Sequence, residues 1–496
     1  MNMMRKIAAV AGVLLAVGVS AGQASAAAVR TGDLNAGAID TYMRDYVKRT
    51  GLPGAAVAVT KGDQIVRVAG YGHTAKGEAI TKSTPMPLAS LSKSFTAVGV
   101  LRLAGEGKID LDAPVRSYLP EFTLADARAT KITVRQLLQQ TSGMSDRSFP
   151  ELALDAPSTL KDAVGMLKSY PLAGDPGAKM AYHNPNFAVA ARLVEVVAGV
   201  PFADYMAQRV FGPLGMKSTA TVNTTSELPG QAAGYIRAYG QVLERSQPNW
   251  FINGGAGVVS TADDLGRWLA AQNGGGRVLT DGLLKTTHTP SGVAESTYAM
   301  GWTAGKTLGG APQLRHTGWL LTHNAAQTLL PDSEYGIAVV TNTGMVSGDD
   351  ALLISDGLID ILEGRSDSVQ EPFTMSADYW LAGLSALVLG LGVMGVLRSG
   401  RWAHRREGKA VWRVGVRLVP YLVPIAFFFG LADLFGVVMN RAGTLEQITY
   451  VWLALYVFAA AGALSSAAVL VSRLVRLVRS RAGKPSSQRE SVLANV

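Results

Sequence analysis

Ser90 and Lys93 stand three residues apart in the stretch Pro87-Leu88-Ala89-Ser90-Leu91-Ser92-Lys93-Ser94-Phe95-Thr96-Ala97. Phe95, Val98, Leu101 and Arg102 follow at helical spacing, and Gly105 and Gly107 end the pattern, so a helix beginning at Ser90 is predicted. On that helix the hydroxyl and the amine share a face, one turn apart. The backbone N–H of Ser90 then belongs to the unpaired donors of a helix start. A base beside a hydroxyl, with donors ready for a developing oxyanion, is what an acyl-transfer nucleophile needs. The spacing alone is weak, because a capping serine reads the same way. Ser158-Thr159-Leu160-Lys161 repeats the pattern and is read as an ordinary surface helix start.

Two further motifs carry chemistry. Tyr182-His183-Asn184 is the one Tyr-x-Asn in the chain, following the loop Gly174-Asp175-Pro176-Gly177. A phenol beside ammonium groups is lowered toward its phenolate and becomes a usable base. Asn184 could orient the lysine or hold a substrate carbonyl. A buried, hydrogen-bonded tyrosine is the plainer alternative. His316-Thr317-Gly318 is the one Lys/His-Thr/Ser-Gly, placed at a strand edge just before the last hairpin. A polar side chain and a hydroxyl there could bind a substrate carboxylate, and the glycine admits a ligand backbone. A simple turn is the alternative. His183 and His323 have no companions at metal-ligand spacing, so no metal site is read from them.

The elements that would position these residues follow from periodicity. An amphipathic helix (Ile39, Tyr42, Met43, Tyr46, Val47) precedes strands Ala55 to Thr60 and Gln64 to Ala69 around Lys61-Gly62-Asp63. From Leu111 to about Ser218, recurrent Pro and Gly suggest short helices joined by ordered loops. A helix from Ala262 to Gln272 precedes strands Gln327 to Leu330 and Gly336 to Thr341 around Pro331-Asp332-Ser333-Glu334-Tyr335. Strands near both ends with helices between imply one α/β or α+β unit whose sheet joins both termini.

The 496 residues are 48% hydrophobic, which suggests that part of the chain lies in lipid. Residues 1–28 read as a signal peptide: Arg5 and Lys6, an apolar core from Ile7 to Val19, and Ala24-Ser25-Ala26 or Ala26-Ala27-Ala28 for cleavage. Gly18-Val19-Ser20-Ala21-Gly22 matches a nucleophile-elbow pattern but falls inside that segment. Residues 29–371 form the catalytic domain, and 372–496 a membrane domain with spans at about 379–397, 418–439 and 450–471. After Pro372 there are fourteen Lys/Arg against five Asp/Glu, leaving 32 against 32 elsewhere. The basic balance therefore belongs to the membrane segment and gives no reason to expect nucleic acid. Positive charge gathers at 398–413 and after 473, whereas the loop between the second and third spans holds only Arg441. Positive-inside places those two segments in the cytoplasm and the catalytic domain on the periplasmic or extracellular side of the cell membrane. The chain has no cysteine, which excludes disulfides and thiolate chemistry.

The three motifs occur in order, at intervals of 92 and 134 residues. With Thr133-Val134-Arg135-Gln136-Leu137-Leu138, Thr141-Ser142-Gly143 and Gly254-Gly255-Ala256-Gly257-Val258-Val259-Ser260-Thr261, they resemble the serine β-lactamase and penicillin-binding-protein superfamily, in its class C-like branch. The resemblance covers about residues 35 to 345. It implies a β-lactamase-like α/β (α+β) fold, an antiparallel sheet with helices on both faces plus an all-helical subdomain, here followed by three transmembrane helices. It implies Ser90 as the acylated nucleophile, Lys93 taking or relaying its proton, and Tyr182 as base in acylation and deacylation. Asn184 would position substrate and lysine. His316, Thr317 and Gly318 would meet the substrate's acyl or carboxylate end, and the N–H groups of Ser90 and Trp319 would form the oxyanion hole.

The sequence departs from that pattern at two places. His316 stands where true class C β-lactamases carry lysine, so a β-lactam carboxylate should bind weakly. Trp319-Leu320-Leu321-Thr322-His323-Asn324 lacks the Pro-Gly-Phe character of relatives. The expected activity is a membrane-anchored serine hydrolase or peptidase acting on D-amino-acid peptides or amides, with a small peptide, amide or ester substrate and membrane lipid as its partners. The alternatives are an esterase, a β-lactamase, a non-turnover penicillin-binding sensor, or a peptidase like those that remove N-acyl-D-amino-acid leaders from nonribosomal prodrugs. The short basic segments at 398–413 and 473–496 leave no room for a cytoplasmic output domain. Asp433, inside the second predicted span, is a functional candidate or an interfacial carboxylate. Oligomeric state stays open.

Overall fold

A computed structural model describes residues 34–274, 278–344, 349–439, 441 and 443–482. The expected signal peptide at 1–28 lies outside the described residues. Helix α1 (Ala36–Thr50) buries Ile39, Tyr42, Met43 and Tyr46, starts on the Asn35 side chain and stops at Gly51 with φ 62°. That positive φ is the left-handed conformation that glycine adopts without steric cost.

The main sheet has six strands: β1 (Gly54–Lys61), β2 (Gln64–Gly72), β3 (Thr303–Lys306), β4 (Pro312–Trp319), β5 (Asn324–Leu330) and β6 (Tyr335–Thr341). Their order is β2-β1-β6-β5-β4-β3, antiparallel throughout. The sheet thus joins both ends of the domain, as the strand positions predicted. Along β1 the side chains alternate between two cores. Ala55, Val57 and Val59 pack with α1 and α5 (Asp350–Leu362). Ala56 and Ala58 pack in the larger core with Phe95 and Trp268, from α2 (Ser92–Gly105) and α4 (Ala262–Gly274). Helix α3 (Pro185–Ala198) and the short helices of residues 111–218 complete that second core.

Two local outcomes differ from the sequence reading. The helix does not begin at Ser90: Ala89–Leu91 form a single 3-10 turn, and the α-helix starts at Ser92. Strand β4 is second from the edge, but β3 pairs only with Pro312 to Arg315. His316 to Trp319 therefore run past β3 and present a locally open edge.

One buried ionic cluster locks the start of the domain to its end. Asp350 of α5 accepts from Tyr46 at 2.9 Å, from the Arg237 guanidinium at 3.0 Å and from Thr343 at 2.5 Å. Arg237 also donates to the Thr50 carbonyl.

The C-terminal region holds three helical segments long and apolar enough to cross a membrane: Thr374–Leu397, Val411–Phe429 and Leu453–Ala482. Large apolar side chains such as Trp380 and Leu397 are 78% and 75% exposed on them. The first is α6 and the last α8. The second predicted span is cut short, because Gly430 ends one helix and Leu431–Met439 forms another. Asp433 lies in that separate helix, beyond the candidate span. The third begins later than predicted, since Tyr450 sits in a short helix α7 (Leu445–Val451). It also runs on to Ala482, because Arg473, Arg476 and Arg479 are good helix formers after the apolar stretch ends.

Replacing Asp350 by alanine leaves Arg237 as a buried, unpaired cation. The expected loss of unfolding free energy is about 3–5 kcal/mol, measured by chemical denaturation of the full chain.

Candidate active site

Five segments meet at Ser90. The 3-10 turn before α2 holds it half-buried, preceded by Ala89 at φ 47°, a conformation unusual outside glycine. Lys93, in the first turn of α2, has no solvent exposure. Its Nζ lies 3.0 Å from Ser90 Oγ, 2.8 Å from Asn184 Oδ1 and 2.8 Å from the Gly255 carbonyl. Burial is the main cause that pushes the Lys93 ammonium well below its ordinary range; the Arg441 cation adds to this and Glu151 opposes it. No carboxylate oxygen is a direct partner of this amine.

Tyr182 and Asn184 precede α3, and Asn184 is its N-cap position with Pro185 next. Their loop is held from behind by a second loop that the sequence singled out at Thr141-Ser142-Gly143. Gln140 accepts from the His183 N–H at 3.1 Å and from Asn186 Nδ2 at 2.6 Å, while Ser142 donates to Asn186 Oδ1 at 2.6 Å. Buried His183 lies 2.7 Å from Asp146, so this histidine is a tether between the two loops. The Lys93 Nζ sits 4.8 Å from the Tyr182 ring centroid. Desolvation pushes the Tyr182 phenol up to about 12, although its hydrogen bond with Ser90 and the charge of Arg441 act the other way. The expectation of a phenol lowered toward phenolate is therefore reversed. Burial outweighs both of these opposing contributions.

Strand β4 brings in the third motif. His316 Nδ1 lies 2.7 Å from the Thr317 carbonyl, which assigns the proton to Nδ1, so Nε2 accepts from the Tyr298 hydroxyl at 3.2 Å. Burial pushes His316 down to about 3, so the ring is neutral at physiological pH. Both ring nitrogens are engaged within the protein, and the ring backs onto Tyr182 with centroids 6.1 Å apart. Thr317 is exposed and lines the cleft. Leu320 N–H bonds the His323 carbonyl at 2.9 Å, so the preceding pair, Trp319 with Asn324, is a non-hydrogen-bonded one. The Trp319 N–H thus points off β5 toward the open edge that faces Ser90.

Gly318 has a different role from the one its motif suggested. A Cβ there would lie 2.4 Å from the Leu88 carbonyl and 3.1 Å from Ala89 Cβ. The glycine lets the nucleophile's own turn approach the strand, where the sequence reading had a ligand backbone doing so. On the other side Gly254, at φ 76°, lets its segment approach α3, where a Cβ would lie 2.4 Å from the Phe187 carbonyl. The Gly254 carbonyl accepts from Thr96 at 2.6 Å, and the Gly255 carbonyl accepts from Lys93.

Three site residues escaped the sequence reading. Glu151 Oε1 accepts from Asn184 Nδ2 at 2.5 Å, Tyr298 backs His316, and Arg441 pairs with Glu151 and lies 3.5 Å from Asp146. None belongs to a local motif; Arg441 was visible only as the lone cation of its loop. Among the described residues, no group of three His, Asp or Glu could hold a metal ion.

Gly318→Ala is expected to displace the Ser90 turn and cut the rate of Ser90 acylation about a hundredfold, read with a fluorophosphonate probe. His316 also shapes stability. Its folded value, about 3, lies below the unfolded value of 6.5, so the unfolded chain gains protons first as pH falls. Its contribution is complete above about pH 6.5 and is lost toward pH 3. The difference in melting temperature between wild type and His316→Gln should therefore shrink steadily over that range.

The Beta-lactamase family profile matches residues 39–354. The chain is 26% identical to Protein flp of Staphylococcus aureus strain MW2 over 315 residues, 61% of this chain and 62% of that protein. It is 31% identical over 229 residues to a D-aminopeptidase of Brucella canis, covering 44% of this chain and 42% of the relative. The chain thus spans about three fifths or less of the length of these curated relatives. A penicillin-binding protein homologue of Pyrococcus abyssi superposes with a TM-score of 0.56 at 20% identity, over 71% of this chain and 81% of that one. With the Ser90, Tyr182 and His316 motifs lining one cleft and the family profile matching residues 39–354, well over half of the chain, the chain belongs to the β-lactamase family.

Proposed function

We propose that the protein is a membrane-anchored, extracytoplasmic serine hydrolase that works through a Ser90 acyl-enzyme on D-amino-acid-containing peptides or amides. One observation carries the reading. Two of the three partners of Lys93 Nζ, Asn184 Oδ1 and the Gly255 carbonyl, can only accept. Asn184 is oriented by its own amide donating to Glu151. A neutral amine has two protons for these acceptors, and its lone pair is left facing the Ser90 hydroxyl. Burial favours the neutral amine over the ammonium.

In this scheme Ser90 Oγ attacks the carbonyl carbon as its proton passes to Lys93 Nζ. The N–H groups of Ser90 and Trp319 take the oxyanion. The C–N bond breaks as the departing amine receives the proton through the Tyr182 hydroxyl, which at its raised pKa is a donor and relay. Water then repeats the sequence on the ester and releases the acid. The relative named a D-aminopeptidase supports the D-amide preference. A neutral His316 with both nitrogens engaged supports poor binding of a β-lactam carboxylate. Residues 29–371 form the catalytic unit in this reading, and the three apolar helices anchor it, with the basic segments at 398–413 and after 473 on the cytoplasmic side.

A second reading, release of an N-acyl-D-amino-acid leader from a prodrug, is favoured by the shape of the cleft. It opens into a cavity of about 740 Å³ whose far wall includes Phe435, Met439, Ile448 and Val451. Such a wall suits an apolar acyl group.

Intact-mass and turnover measurements on the full chain, with a penicillin and a panel of N-acyl-D-amino-acid amides, test both readings. Repeated turnover of a D-amide is expected. It should vanish in Ser90→Ala and fall about 10³-fold or more in Lys93→Ala. The acid limb of kcat/KM should lie well below the ordinary lysine range, because loss of activity on acidification reports protonation of the Lys93 amine. Absence of Ser90-dependent labelling by any β-lactam, activated ester or fluorophosphonate would sink the proposal.

A further inference from the structure

The catalytic lysine is linked to the C-terminal region by an unbroken chain of polar contacts. Lys93 Nζ meets Asn184 Oδ1, Asn184 Nδ2 donates to Glu151 Oε1, and the same carboxylate oxygen accepts from Arg441. Arg441 follows the helix Leu431–Met439 and lies outside all three candidate spans. Its side chain is 21% exposed, Glu151 is 16% exposed, and Asp146 flanks the guanidinium at 3.5 Å.

The placement is anchored on both sides. Just after Arg441, the helix α7 docks on the catalytic domain. Gln447 Nε2 donates to the carbonyl of Leu152, the neighbour of Glu151, at 3.0 Å. The Tyr450 hydroxyl donates to the Ser246 carbonyl at 3.1 Å, and the Arg245 guanidinium covers the Tyr450 ring at 4.1 Å. Tyr450 and Val451 share a small core with Ile236 and Leu321. Arg441 is thus held against the cleft wall that also includes Ser90 and Asn184.

We propose that Arg441 is a positioning residue of the Ser90 site, supplied by the membrane-associated part of the chain: it fixes Glu151, and through Glu151 the amide of Asn184 that receives the Lys93 amine. The inference rests on the acyl-enzyme reading above. The arrangement has an electrostatic consequence. Glu151 is needed to orient Asn184, but its charge favours the ammonium form of Lys93. Arg441 cancels that charge where it acts. The other groups facing Lys93 are the phenol of Tyr182 from the loop before α3 and the neutral ring of His316 from β4. Tyr298 stands behind His316, and Asp146 stands behind Arg441, paired with His183. None of these supplies a second cation.

The test uses the full chain in lipid nanodiscs and follows the rate of Ser90 acylation by a fluorophosphonate across pH. In Arg441→Gln the acid limb is expected to move up by about one pH unit, which lowers the rate about tenfold below the limb and less above it. Arg441→Lys, which keeps the charge, should restore most of the limb position. Glu151→Gln, which keeps an acceptor for Asn184 but removes the anion, should move the limb the opposite way. An Arg441→Gln limb within about 0.2 unit of wild type, whether or not the rate has dropped uniformly, overturns the proposal in favour of a purely structural contact. Absence of labelling in wild type itself would defeat the acyl-enzyme reading, whereas labelling with an unmoved limb defeats only this inference.

Discussion

The site depends on keeping an amine out of water without giving it a carboxylate partner. A lysine placed directly against Glu or Asp would remain an ammonium and could not take a proton from serine. Here the donors of Lys93 are satisfied by a side-chain amide and a main-chain carbonyl, which are dipoles without net charge. That choice accounts for features far from the lysine. Gly254 lets the segment carrying the Gly255 carbonyl lie close to α3, and the loop of Gln140 and Ser142 fixes the segment carrying Asn184. Gly318 brings β4 against the turn that carries the nucleophile.

Burial then sorts the titratable groups in the same direction. The Lys93 ammonium, the His316 imidazolium and the Tyr182 phenolate are all disfavoured, so burial favours the uncharged form of each of the three groups. The formal charges are one step removed, in the pair of Glu151 and Arg441. A cleft built this way suits transfer of a proton between neutral groups and offers no fixed cation for an anionic substrate at the position of His316.

Much of this was legible in the sequence because the decisive signals are local. Ser90 with Lys93, Tyr182 with Asn184, and His316 with Thr317 each sit within a few residues, and the strand patterns at both ends of the domain fixed how the sheet closes. The Ser158 repeat also read correctly as a helix start, although Thr159 provides the cap. What failed was whatever depends on tertiary surroundings. The direction of the Tyr182 shift is decided by desolvation, which no spacing reveals. Glu151 and Arg441 act from segments that are 33 and 257 residues from Asn184 and carry no motif. The second apolar stretch looked continuous because hydropathy cannot see the break at Gly430.

The order of the main sheet also governs when the domain can form. Interior strand β1 lies between β2 and β6, and Ala55 pairs with Thr341. About 280 residues must be made after β1 before its second neighbour exists, which at ordinary rates of synthesis means tens of seconds. During that interval a mostly apolar strand has one side unpaired, and contacts of such long sequence separation form slowly in any case. The first apolar helix, α6, begins only 33 residues after β6 ends. Closure of the sheet and emergence of the first candidate span therefore follow closely in time, so premature arrest anywhere before residue 341 leaves a chain with strand β1 unpaired on one side and exposed to aggregation.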